Sequence, residues 1–372
     1  MKHWILALAM GCSMIAPAFA WDLWEDFKGV GIENGRVVDY SDDRAVTTSE
    51  GQSYGMFFAL VDGDKESFAS LLKWTEDNLS SGDITKELPS WLWGRSGSNW
   101  VILDTNNAVD SDMWIAYCLL EAGRLWNDPS YTQKGQKMLE LLKEQVRDVD
   151  NLGKVLLPGR VGFDKGDSVK LNPSYYPLFI LKRFALEDSY WNEVFDGSLR
   201  VLLRSAPAGI SPDWATFSKN GELLPVDDID NTIGSYNSIR VYLWAGMMSP
   251  RDPSYKTLRE HFAPMVALTE KLNMPPEKVN VNTLEVNQAA GDGFGACLLE
   301  YLGASKTADF IRTVLENTPI EKNNYYRNVL ALYGLGFDQG LFYVYGGRYH
   351  REIHQMIAEK VYGGGCGIAK NL

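Results

Sequence analysis

The residues whose types and spacing suggest chemistry begin at Thr47-Thr48-Ser49-Glu50-Gly51-Gln52-Ser53-Tyr54-Gly55-Met56. One carboxylate stands there beside two glycines and a tyrosine, where a helix should start. An acid that protonates a leaving oxygen of a sugar acetal needs such a setting: open space for a ring, an aromatic face, and partial burial that lifts its pKa towards neutrality. A bland alternative stands beside it, since Thr47 followed three residues later by Glu50 also spells a capping box. A second acidic cluster, Asp104-Thr105-Asn106-Asn107-Ala108-Val109-Asp110-Ser111-Asp112, leads into the apolar periodicity that starts at Met113. Asp-Ser-Asp there reads either as helix capping or as carboxylates that hold a sugar hydroxyl and a water. A calcium loop is excluded, because the sixth position from Asp104 is Val109 where the tight turn requires glycine.

Aromatic residues are 12% of the chain, and many sit in loops beside acids and glycines: Trp91-Leu92-Trp93-Gly94, Trp100, Tyr175-Tyr176 and Pro212-Asp213-Trp214. Such rings either stack on the apolar faces of pyranoses or fill a large core. Trp91 and Trp93 cannot both point inward from one extended turn, so at least one of them is a cleft candidate.

The elements that position these residues are helical. Apolar residues recur at three- and four-residue steps over Gly55–Leu60, Phe68–Asn78, Asp112–Trp126, Gln136–Val146, Tyr176–Phe184, Trp191–Ser205, Ile239–Met248, Tyr255–Lys271, Gly295–Leu302, Ala308–Asn317 and Tyr325–Leu335. Pro and Gly punctuate the joins, and Lys154–Phe163 reads as a short hairpin. An all-α fold follows, with a double ring of inner and outer helices as the topology that suits this length. No Pro-, Gly- or Ser-rich linker divides the chain, so residues 21–372 are expected to form one domain.

Residues 1–20 read as an export signal: Lys2 and His3, an apolar run from Trp4 to Ile15, and a small-x-small site at Ala18-Phe19-Ala20. That run is too short to span a bilayer and no later run replaces it, so a soluble exported or periplasmic protein is expected. Cleavage removes Lys2 and no acid, taking the formal charge from −12 to −13. An acidic balance argues against nucleic acid or anionic lipid as partner. Cys118, Cys297 and Cys366 would remain, which allows at most one internal bridge; Cys118 lies in an apolar helical stretch and is expected to be buried. No CxxC occurs. His350 and His354 stand four apart, a ligand spacing on a helix, but without the glutamate placement of a zinc protease motif. No metal and no cofactor are expected.

Thr48–Met56 resembles the general-acid motif of glycoside hydrolase family 8, and Ala108–Ala116, continuing through Leu119–Trp126, is similar to that family's signature segment. Pro89–Gly94, Leu156–Gly159, Asn172–Tyr175, Ser211–Trp214 and Ser235–Trp244 match the same pattern in order. The resemblance implies an (α/α)6 barrel, a β-1,4-glucan substrate and hydrolysis with inversion, and it is closest to periplasmic endoglucanases that accompany bacterial cellulose synthesis. By position it makes Glu50 the proton donor and Asp110 the second catalytic carboxylate, either nucleophile or grip on the central sugar. Arg240 becomes an orienting partner, with Tyr54, Trp93, Tyr175, Trp214, Tyr236 and Asn237 as substrate contacts.

One position departs from the pattern. Asn237 stands where cellulases of the family usually carry the aspartate that activates water, and an amide cannot accept that proton near neutral pH. Three readings stay open: another carboxylate serves (Asp110, Asp227, Asp228 or Asp230), the protein binds glucan with little turnover, or the residue is an alteration. A monomer is expected, with the cellulose synthase or export machinery as a candidate partner. A helical-barrel polysaccharide lyase is disfavoured, because its anionic substrate would want a basic cleft.

Overall fold

The computed structural model describes residues 21–225 and 229–351. Its helices alternate between two layers. The inner layer holds Ser49–Asp62, Val109–Trp126, Leu178–Ala185, Ile239–Gly246, the broken pair Asp292–Ala296 and Leu299–Leu302, and Tyr325–Asp338. The outer layer holds Asp22–Gly31, Lys65–Leu79, Pro129–Lys143, Tyr190–Arg204, the pair Pro253–His261 and Ala263–Leu272, and Lys306–Asn317.

Sequence decides the layer. In Val109–Trp126, 15 of the 18 residues are buried, and a helix that is covered all round belongs inside. Lys65–Leu79 buries only Phe68, Leu71, Leu72, Thr75 and Leu79, one stripe of an amphipathic helix whose other side is solvated.

The inner layer closes into a ring around an aromatic hub. Tyr54, Trp114, Trp244 and Tyr333, from four different inner helices, touch one another with centroid separations of 5.0–6.2 Å. The last inner helix meets the first through Tyr333 against Tyr54 and Phe58. It meets the fifth so closely that a Cβ on Gly334 would stand 2.4 Å from the Ala296 carbonyl oxygen. The ring expected from length and periodicity is therefore present.

Several boundaries differ from expectation. The 255–271 stretch is two helices, because Pro264 sits in the first turn of the second and cannot continue the first. The 295–302 stretch is likewise split. Asp22–Gly31, which no periodicity had marked, is a helix. Lys154–Phe163 is not a hairpin: Gly153–Leu156 pairs back with Val146–Val149, and Ser168–Leu171 pairs with Ala215–Ser218. A three-stranded sheet joins Thr47–Thr48, Leu92–Ser96 and Asn99–Asp104.

Buried Glu121 anchors the C-terminal part of the described chain. It accepts from Arg183 Nε at 2.5 Å, from Arg124, and from the Tyr349 backbone N–H at 2.9 Å, so the Phe342–Tyr345/Arg348–Arg351 hairpin is tied to the ring. His350 lies on that hairpin and not on a helix, while His354, Cys366 and the glycine run at 363–365 lie outside the described residues. Cys118 and Cys297 are buried free thiols. Among the described residues, no helix is long and apolar enough to cross a membrane.

Candidate active site

Four inner helices begin at the same end of the ring, and each offers a polar side chain from its first turn. Glu50 is the second residue of Ser49–Asp62, Asp110 of Val109–Trp126, Arg240 of Ile239–Gly246 and Tyr326 of Tyr325–Asp338. A helix start aims its free N–H groups and positive dipole end at that region, which suits carboxylates.

Local hydrogen bonding separates the capping readings from the chemical ones. The residue that caps the first of these helices is Thr48, whose hydroxyl accepts from Gly51 N–H at 3.0 Å. Thr47 is turned away and donates to the Val37 carbonyl. The Thr47/Glu50 capping box therefore does not form, and Glu50 is released from its own backbone. The second acidic cluster behaves alike: the N-cap is Ala108, with no side-chain cap, and Asp110 lies inside the first turn.

Both carboxylates converge on one cation. Arg240 Nη1 donates to Glu50, to the Tyr54 hydroxyl at 2.9 Å and to Asp110 at 3.3 Å, while its Nη2 donates to Asn237 Oδ1 at 3.0 Å. Tyr325 donates to the other Glu50 oxygen at 3.4 Å. The Arg240 and Asp110 side chains are 4% and 5% exposed, whereas Glu50 keeps 21%. Of the two acids, Glu50 is the one that reaches into open space. Burial pushes the Asp110 carboxyl up to about 6; the Arg240 charge pulls it back and Glu50 adds to the rise. Its neighbour Asp112 is fully buried, accepts from Asn107 Nδ2 at 2.7 Å, and is likewise raised by burial.

Asn237 is held as an acceptor. Its Oδ1 receives Arg240 and also Asn172 Nδ2 at 3.1 Å, and its Nδ2 has no partner among the described residues. The loop that carries it is fixed by Asp213, whose Oδ1 accepts the backbone N–H groups of Ser235, Asn237 and Ser238 at 2.8–3.1 Å. Asn172, Asp213, Tyr325 and Tyr326 had no assigned role from sequence. The first two stand in quoted motifs, where an acceptor before Pro-Ser or beside Pro was the available signal. The two tyrosines were marked only as the beginning of a helix.

The expected sugar-binding rings fall into three settings. Tyr54 is buried in the hub and reaches the site through its hydroxyl, which burial keeps neutral. Tyr236 is 51% exposed beside Phe294 and Tyr326, and Tyr175 lies with Arg240 near its face. Trp93 and Trp214 are each already stacked: Trp93 on Trp100, and Trp214 on Phe163 with the Lys170 ammonium 5.0 Å from its ring centre. Asp227 and Asp228 lie outside the described residues, as does the side chain of Asp230.

The arrangement is suited to acid chemistry at a partly exposed carboxylate, next to a buried carboxylate and an amide that hold oxygen atoms. Comparison with known proteins agrees with it. The family model described as glycosyl hydrolases family 8 matches residues 1–340. A crystal structure of endo-1,4-D-glucanase from Vibrio fischeri ES114 is 43% identical with a TM-score of 0.85, covering 89% of this chain and 99% of that one. An endoglucanase of Escherichia coli O157:H7 is 42% identical over 344 residues, 91% of this chain and 92% of its own. One from Xanthomonas axonopodis pv. citri is 39% identical over 346 residues, 90% of each. The match runs through the ring helices and the loops at their starts, and the chain belongs to glycoside hydrolase family 8, whose fold is the (α/α)6 barrel.

Proposed function

We propose that the protein is an inverting endo-β-1,4-glucanase acting on cellulose or its soluble derivatives. The observation that carries this reading is the shared guanidinium: Arg240 holds Glu50 and Asp110 at the same end of the ring, with Glu50 the more exposed. Endoglucanase names among relatives near 40% identity over nine-tenths of the chain support it.

In this mechanism Glu50 gives its proton to the glycosidic oxygen as the bond to the anomeric carbon breaks. Arg240 and Tyr325 fix its position, and Tyr54 holds Arg240. Water attacks from the opposite face and loses a proton to a base. Inverting pairs stand about 6.5–9.5 Å apart so that water fits between them and the sugar. Asp110 shares one nitrogen with Glu50, which is closer than that spacing wants, so its role is the grip on a sugar hydroxyl. Asn237 orients the water through its Nδ2, Asn172 holds the Asn237 amide in place, and the proton passes to a carboxylate, with Asp227, Asp228 and Asp230 as the candidates. Tyr175, Tyr236, Trp93 and Trp214 line the glucan path.

Residues 21–372 act as one exported, monomeric catalytic domain after loss of residues 1–20, in support of cellulose production. A second reading, glucan binding with little turnover, is favoured by Asn237 alone. Proton NMR of cellohexaose digestion tests both: α-anomer appearing first supports the proposal, β-anomer refutes inversion, and binding without products selects the second reading. Glu50→Gln should lose at least about 10²–10⁴ in rate and still bind cellohexaose; near-wild-type turnover would overturn the assignment of the acid.

A further inference from the structure

The backbone nitrogen of Trp21 lies in an acidic corner at the far end of the helix that carries Glu50. Its N–H donates to Asp62 Oδ1 at 2.8 Å. Oxygen atoms of Glu25, Asp62 and Asp64 all lie within 4.8 Å of one another. Lys28 answers two of the three, with its Nζ 2.7 Å from Glu25 and 2.8 Å from Asp64. Asp64 is further engaged as the cap of Lys65–Leu79, accepting from Ser67 N–H at 3.0 Å. Three carboxylates against one ammonium leave the corner short of positive charge.

The position of Asp62 adds to that shortage. It is the last residue of Ser49–Asp62, a helix with no basic residue in its last turn. The carbonyl end of a helix carries partial negative charge, so an acid there is disfavoured unless a cation sits beside it. The atom seated against Asp62 is the Trp21 nitrogen, which is neutral while a peptide bond joins it to Ala20. Trp21 is also the residue directly after the small-x-small site Ala18-Phe19-Ala20. Hydrolysis of that bond takes up one water, leaves a carboxylate on Ala20 and turns the Trp21 nitrogen into an ammonium at neutral pH.

The rest of the residue holds this nitrogen in place. Trp21 is 5% exposed, its ring meets Phe58 edge-on at 5.8 Å, and a Cβ on Gly336 would stand 3.0 Å from it. Its carbonyl accepts from Trp24 N–H at 2.8 Å and Glu25 N–H at 3.1 Å, which opens the outer helix Asp22–Gly31. Phe58 belongs to the first inner helix and Gly336 to the last. Trp21 therefore sits on the seam where the ring closes.

We propose that Asp62, with Glu25 and Asp64 around it, is a socket for the α-ammonium of Trp21, a group that forms only when residues 1–20 are cut away, so that processing itself strengthens the seam of the ring. The inference rests on the export reading given above and adds to it the first residue of the mature chain and what its charge does. A charge-assisted hydrogen bond is roughly twice as strong as a neutral one. The ammonium keeps the contact that Asp62 already accepts and supplies the missing positive charge.

The test has two arms. The full chain is exported from a bacterial host, and the intact mass of the recovered protein gives its first residue, expected to be Trp21. Two chains released from a cleavable fusion, one beginning at Trp21 and one keeping Ala20 ahead of it, are then melted with and without Asp62→Asn, each in calcium and in EDTA. The chain that begins at Trp21 should melt about 1–3 °C higher, and Asp62→Asn should remove that difference. Equal melting of the two starts, or a difference that survives Asp62→Asn, overturns the socket and leaves the export reading standing. So does a calcium-dependent rise in melting that is the same for both starts, which would make the corner a metal site. Recovery of an uncut chain overturns the export reading and the socket together, and hydrolysis of carboxymethylcellulose by both starts keeps the glucanase reading separate from either.

Discussion

Replacing Asn237 by aspartate exchanges a single NH2 for an oxygen at the position where the proposed mechanism holds the water. The existing acceptor contacts, from Arg240 at 3.0 Å and Asn172 at 3.1 Å, are ones that a carboxylate keeps. The lost Nδ2 donates to nothing among the described residues. At an effective dielectric of about 20, a carboxylate 3 Å from the Arg240 charge gains about 5 kcal/mol, and repulsion from ionised Asp110 across the same guanidinium takes back about 3 kcal/mol. Desolvating the new charge consumes the remainder. Folding stability should therefore stay within about 2 kcal/mol of wild type, and any change in rate reports chemistry. If the proton of the attacking water has no good acceptor in the wild-type protein, a correctly placed base adds about 10²–10⁴ in turnover. Initial rates of reducing-end release from carboxymethylcellulose, measured beside thermal melts of both proteins, make the comparison. An unchanged or lower rate in a variant that melts like wild type would refute the reasoning and mean that another group already takes the proton.

Arg240→Ala leaves two carboxylates facing each other without their cation, and should cost about 3–5 kcal/mol of stability, read as a lowered urea midpoint; Arg240→Lys keeps the charge but not the fork that reaches Asn237 and the acids together. The pH dependence follows from Asp110. Its folded-state value, near 6, lies above the ordinary carboxylate value of about 3.9, so the native state binds the proton at higher pH than the unfolded chain. This group therefore favours folding below about pH 4 and loses that advantage as pH rises through 6. Urea unfolding of Asp110→Asn relative to wild type should show the variant gaining between about pH 4 and 7, by no more than about 3 kcal/mol; a flat difference would refute the buried-acid account.

Much of this was legible in sequence, for reasons that can be named. Periodicity announced a large helical domain, but not which helices lie inside: Val109–Trp126 is buried on all sides although it carries Asp110, Asp112 and Glu121, while Lys65–Leu79 buries a single stripe. Glu50 and Asp110 were singled out by two acidic clusters and the family resemblance together, because an acid in the first turn of a helix is by itself ordinary capping and dipole chemistry. What sequence could not supply was the choice between Thr47 and Thr48 as the cap, since both are threonines and only the Thr47 bond to Val37 decides it. That one-residue shift turns Glu50 from a capping partner into a side chain free to meet Arg240. The Leu92–Asp104 hairpin was missed because its outward residues alternate with nothing buried, and strand patterns rely on one covered face. Asn172 and Tyr325 were missed because their partners lie 65 and 275 residues away, beyond any local pattern.

Closure of the ring by its final inner helix has a consequence for the order in which the chain comes together. Glu50 and Asp110 leave the ribosome long before Arg240, and Tyr325 arrives later still. A nascent chain holding only the first two inner helices would bring two acids side by side with no counter-ion between them. Early pairing of those helices is thus penalised until the fourth arrives, and the hub of Tyr54, Trp114, Trp244 and Tyr333 cannot assemble before the sixth. The two acids, their shared cation and the aromatic hub are therefore completed together and late in the chain, not helix by helix.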